Sequence, residues 1–284
     1  MYALAPAATV LALVQGLLVL GGLGLCGAWF FAPKLQPWRA RPSGLPRWDV
    51  PLGDTLLVCW VAAVTVLFGS LLAGSTARQF GLTVTDGWTS VLSVLGFQGS
   101  LVVVFASLAI YKRSVGRPLP AVGVSPPASC SDRILLGAAV FCVAMPFVIA
   151  TSFASTAAMN ALGLPIKQQD LAGLFATTDS PLLLLALTAM GIVVAPLGEE
   201  LLFRAGLFRI LGRFLPHWVA LVLSALAFAT LHWSAIHFVP LTVLGIVFAL
   251  AYEKSGSLLV PVIAHGLFNL NSIVALLAGL GSTP

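Results

Sequence analysis

The sequence predicts an all-α fold, a polytopic transmembrane helical bundle of about eight spans, and three observations predict it. Of 284 residues, 59% are hydrophobic and only 8% are charged, against roughly a quarter charged in soluble domains. Mean hydropathy is +1.05. Several apolar runs reach the ~20 residues that cross a ~30 Å hydrocarbon core as helix, and none alternates with period two as the strands of a membrane barrel would.

The first run, 6–31, lacks a basic N-terminal region and is followed by Lys34, Arg39, Arg41 and Arg47, so it reads as a retained anchor rather than a cleaved signal. Its glycines, Gly16, Gly21, Gly22, Gly24 and Gly27, suit close helix packing. Spans two to four are expected at 52–74, 88–111 and 134–162, and spans five to eight at 181–203, 218–236, 238–252 and 258–281. The Pro-rich stretches 32–51 and 112–133 read as extended connectors, not folded domains. Cys26, Cys59 and Cys142 fall within spans and Cys130 in a connector, which suggests no disulfide framework.

Lys/Arg placement orients the bundle. Lys34, Arg39, Arg41 and Arg47 follow span one, Lys112, Arg113, Arg117 and Arg133 follow span three, Arg204, Arg209 and Arg213 follow span five, and Lys254 follows span seven. Only Arg78 and Lys167 fall in the alternate loops. By the positive-inside rule both termini are then extracytoplasmic. The net charge of +5 is accounted for by loops facing an anionic inner leaflet, with no need of a nucleic acid. The expected location is the inner or plasma membrane of a bacterial cell.

An ionised side chain near the middle of a membrane helix costs about 2.5–3.5 kcal/mol on insertion scales, so such residues have a job and a partner. Glu253 and Lys254, at a span end, read as a solvated pair, and His217 and His237 as interfacial histidines. That leaves Glu199, Glu200 and Arg204 on span five, His232 on span six, and His265 with Asn269 on span eight. Glu200 and Arg204 stand at i, i+4 and can form a charge-assisted pair. Glu199 is turned ~100° from Glu200 and need not share that partner. His265 and Asn269 are also i, i+4, and Phe228 precedes His232 by the same spacing.

These residues admit a structural reading, in which the ion pair locks helices and the His and Asn are interhelical hydrogen-bonders worth ~1 kcal/mol each. Together they also make a hydrolytic inventory. A carboxylate and a histidine draw a proton from water, while an imidazole N–H and an amide donate to an oxyanion.

The three segments EELLFR (Glu199, Glu200, Arg204), FATLH (Phe228, His232) and HGLFN (His265, Asn269) occur in that order. They resemble the EExxxR, FxxxH and HxxxN motifs of the CPBP intramembrane protease family, also called the Abi or type II CAAX prenyl endopeptidase family. The likeness covers residues 181–275, so that 1–162 reads as an N-terminal transmembrane scaffold and 163–284 as the CPBP/CAAX protease-like domain. The resemblance implies an intramembrane endopeptidase acting on a membrane-anchored or lipidated substrate. It implies that Glu199 is the catalytic carboxylate, that His232 helps it activate water, that His265 and Asn269 steady the tetrahedral intermediate, and that Glu200 with Arg204 orients the group.

Amide hydrolysis requires a hydrated cavity, here between spans five, six and eight. Gly198, Gly206 and Gly266 are expected to leave room for a substrate backbone, and Pro196 with Gly198 to break or kink span five. Zinc or another divalent metal is the mechanistic rival, held by Glu199, His232 and His265, although no HExxH is present. Two further readings stand beside hydrolysis. One is a non-catalytic membrane partner, such as an immunity or assembly factor, and the other a proton relay, which the lack of internal repeat symmetry disfavours. Counting from Pro181 and Trp218 puts Glu199 and His232 on opposite sides of the bilayer centre, a gap that the fold must close.

Overall fold

The computed structural model describes residues 4–31, 45, 51–83, 86–114, 129–166, 173–175 and 178–278. Among them every regular element is helical. Eight main helices follow in order: α1 (Leu4–Phe31), α2 (Leu52–Gln79), α3 (87–114), α4 (Cys130–Ala161), α5 (Pro181–Phe214), α6 (His217–Thr230), α7 (Ala235–Ser255) and α8 (Leu259–Leu277). Most of both Pro-rich connectors, with Lys34, Arg39, Arg41, Arg47 and Arg117, and also Lys167, lie outside the described residues.

Seven helices are long and apolar enough to cross a membrane. The exception, α6, corrects the expected span 218–236. It has 14 residues, about 21 Å at 1.5 Å per residue. It closes where the His232 N–H bonds three residues back to Ala229 O and Trp233 takes a left-handed φ of 48°. Ser234 then precedes α7, which ends at Gly256 with φ 64°, the backbone state in which glycine carries no Cβ penalty.

Helix α5 departs most from expectation. Instead of ending at 203 it runs unbroken for 34 residues, Pro181 to Phe214. Ser180 caps it by accepting from the Leu183 N–H, with Pro181 at the first helical position. Arg204 and Arg209, which read as residues of a cytoplasmic loop, are inside the protein at 1% and 6% exposure. Pro196 produces no break. The helix absorbs it in a π turn at Met190–Val194, and a second π stretch covers Leu201–Phe208. Ala195 N–H reaches back to Met190 O, and Pro196 has no N–H to offer. The Gly191 carbonyl is thereby left without a partner from its own helix.

The core lies among α4 to α8, where Phe141, Met145 and Val148 of α4 meet Phe203, Phe228, Leu244, Phe248 and Ala264. A second cluster, toward the C-terminal ends of α5 and α7, joins Leu201, Ala205 and Phe208 of α5 to Ala220, Ala249 and Tyr252. There His217 Nε2 lies 3.0 Å from Glu253 Oε2, so Glu253 is buried against α6 and not solvated beside Lys254. Helices α1 and α2 are peripheral. Among the described residues, only Gly22 of the α1 glycines is used in packing, against the Cys142 carbonyl and Pro146 of α4, while an added Cβ at Gly16, Gly21, Gly24 or Gly27 meets nothing within 4 Å. Leu13, Leu17 and Leu20 of α1 are exposed, as expected where hydrocarbon is the solvent. Helix α2 approaches α3 closely at Gly69 and Gly96. This crossing positions a π turn at Leu95–Gly99, which carries Gln98 toward α5.

Candidate active site

The two adjacent glutamates have different surroundings because one helical step separates them by ~100°. Glu200 is fully buried and its Oε1 accepts from Arg204 Nη1 at 3.0 Å. The same oxygen lies 2.9 Å from His265 Nδ1. Arg204 Nη2 donates to the Gly245 carbonyl of α7 at 3.3 Å, and its guanidinium lies over the Phe228 and Phe248 rings at 4.5 and 5.3 Å from their centroids. The charge of Arg204 is therefore met by a carboxylate, a carbonyl and two aromatic faces. Such pairing makes burial tolerable.

Among the described residues no arginine forms an ion pair with Glu199. Its side chain is 17% exposed, and its Oε2 lies 3.9 Å from His232 Nε2 and 3.8 Å from His265 Nε2. These separations exceed a hydrogen bond. Among the described residues Glu199 Oε2 is buried and accepts no hydrogen bond.

Each imidazole is held by its other nitrogen. His232 Nδ1 lies 2.9 Å from Phe228 O; a carbonyl only accepts, so Nδ1 carries the hydrogen and Nε2 turns toward Glu199. His265 Nδ1 donates to Glu200 in the same way. Phe228, completely buried, has its ring edge-on to both, with centroids 4.8 Å from His232 and 5.8 Å from His265. It thus fixes one imidazole through its carbonyl and packs against both through its ring.

Of the six sequence-predicted residues, five converge: Glu199, Glu200, Arg204, His232 and His265. The depth mismatch disappears because α5 extends to Phe214. Measured from the adjoining helix ends at Phe214 and His217, Glu199 and His232 both lie roughly 22 Å along. Asn269 is placed differently from its expected role. Its Nδ2 donates to the Gly191 carbonyl at 2.8 Å, the group freed by the π turn and Pro196, so Asn269 ties α8 to the irregular part of α5.

The glycines expected to admit a substrate backbone admit other parts of the protein. A Cβ on Gly198 would collide with Gln98, one on Gly266 with the Ile192 carbonyl, and one on Gly206 would touch Phe105 at 3.5 Å. Among the described residues no group of three or more His, Cys, Asp or Glu is arranged to hold an ion.

Sequence reasoning missed Gln98. It is 7% exposed, and its Nε2 donates to Glu199 Oε1 at 3.2 Å. The available signal was a lone amide in the apolar third span, which has no spacing relation to the motifs more than 80 residues away.

Residues 181–271 match the family model for type II CAAX prenyl endopeptidase Rce1-like proteins. Comparison with curated proteins and with solved structures found no match.

Proposed function

Because residues 181–271 are those of a Rce1-like, CAAX-protease-like segment, we propose that the chain is an intramembrane endopeptidase. It hydrolyses a peptide bond of a membrane-anchored or lipidated substrate with a water activated by Glu199 and His232. The observation that carries this reading is the asymmetry of the glutamates. Glu200 is engaged by Arg204 and His265, while Glu199 Oε2 accepts no hydrogen bond among the described residues and faces two imidazole Nε2 atoms at 3.8 and 3.9 Å.

In the proposed reaction the water oxygen bonds to the scissile carbonyl carbon as Glu199 takes its proton, with His232 Nε2 accepting the water's second hydrogen bond. His265, protonated and backed by Glu200, donates from Nε2 to the oxyanion. The C–N bond then breaks as Glu199 returns the proton to the leaving amine. Asn269 contributes by holding α5 and α8 together around this point. No step is assigned to a metal.

The test compares peptide products from membranes carrying the wild-type chain or Glu199→Gln, His232→Ala or His265→Ala, with and without a chelator. Products that require all three side chains and persist in chelator are expected. Full product formation by all three variants would sink the proposal, and loss of products with chelator would overturn the metal-free route.

A further inference from the structure

Among the described residues no arginine or lysine pairs with Glu199 to fix its rotamer, yet its Oε2 faces two histidines on different helices. Something else must choose that orientation. Among the described residues the only hydrogen bond to Glu199 comes from Gln98 Nε2, at Oε1. We propose that Gln98 is the positioning residue of Glu199: by pinning Oε1 from α3, it leaves Oε2 as the oxygen presented to water and the imidazoles.

Three features make Gln98 suited to this. It is nine-tenths buried and lies in the Leu95–Gly99 π turn, whose extra residue per turn redirects side chains and is common at functional sites. Its amide lies directly over Gly198, the residue before Glu199, where any Cβ would collide with Gln98 Oε1 and approach Gln98 Cβ to 3.0 Å. Gly198 therefore serves to admit Gln98. Finally, a neutral amide orients a carboxylate without taking over its charge, as Arg204 does for Glu200. Among the described residues Gln98 Oε1 itself accepts no hydrogen bond, so the amide's one observed bond is to the glutamate. The site is thus completed from outside the matched segment 181–271.

This inference rests on the hydrolytic reading, and two measurements on the full-length chain in lipid vesicles keep the two apart. The first is a double-mutant cycle on thermal unfolding with Gln98→Met and Glu199→Leu. If Gln98 holds Glu199, the losses do not add, because removing either partner removes the same bond; additive losses overturn the proposal. The second is the cleavage rate of a Glu199-dependent substrate. Gln98→Met is expected to lower kcat about tenfold with KM within about twofold, the size expected for one hydrogen bond to a charged group and the pattern of an interaction realised in the transition state. Raised KM with unchanged kcat would overturn it. Gly198→Ala, which displaces the amide from the other side, should reproduce the kcat effect even if Gln98→Met folds poorly. If wild type and Glu199→Gln give identical products, the hydrolytic reading falls, and the unfolding cycle still decides whether Gln98 holds Glu199.

Discussion

Removing the Glu200 carboxylate would strand the Arg204 guanidinium at 1% exposure, with only a carbonyl and ring faces around it. Breaking one side of a buried pair costs about 3–5 kcal/mol, because the remaining charge is uncompensated. Glu200→Ala should therefore lower unfolding free energy in detergent by about that amount. Glu199→Gln keeps volume and an amide that Gln98 can still meet, and should change stability by less than about 1 kcal/mol while abolishing product formation. Equal destabilisation by the two variants would contradict the division of roles. This division was legible in the sequence because charges in an apolar chain are conspicuous, and i, i+4 spacing assigns Arg204 to Glu200. Gln98 was not legible in the same way. Its significance lies in a helix crossing at Gly69 and Gly96 that hydropathy does not report.

At the level of the helix, α5 combines two conflicting demands: continuity across 34 residues and a proline near its middle. The π turn reconciles them at the expense of the Gly191 carbonyl, and Asn269 supplies the missing donor. The Asn of the third motif thus becomes a structural partner of the Pro that precedes the first. Replacing Pro196 by Ala restores an N–H, which competes for the freed carbonyls and reduces the dependence on Asn269. Asn269→Leu alone should cost about 1 kcal/mol, near the measured range for polar contacts between membrane helices, and less in a Pro196→Ala background. A thermal-unfolding cycle checks this; equal losses in both backgrounds would show that the carbonyl and the amide are not coupled. Apolar run length predicted that α5 exists, but not where it ends. Arg204 and Arg209 look like the start of a cytoplasmic loop to any hydropathy count, and only the acceptors around Arg204 reveal that it remains inside the bundle.

For the whole molecule, the short α6 decides how the chain crosses the membrane. Its 14 residues do not match the full hydrocarbon thickness, but the 3.0 Å contact between His217 at its start and Glu253 near the end of α7 brings those two ends to one level. The chain therefore reverses at Trp233 and Ser234 after a partial traverse, and each following helix runs opposite to the last. Counted with α6 and its turn as one pass, the seven membrane-length helices make eight passes, which would return the C-terminus to the side of the N-terminus. From the positive-inside rule we propose that both lie outside, with Arg113 and Arg133 on the cytoplasmic side. Cys130, exposed at the start of α4, is the native reporter of that assignment, since Cys26, Cys59 and Cys142 lie within helices read as spanning. A membrane-impermeant maleimide applied to spheroplasts should label Cys130 only after permeabilisation, and should label a cysteine appended after Pro284 without it. Labelling of Cys130 in sealed spheroplasts would invert the molecule. Labelling of the two sites from the same face would instead mean that α6 and its turn do not count as a pass.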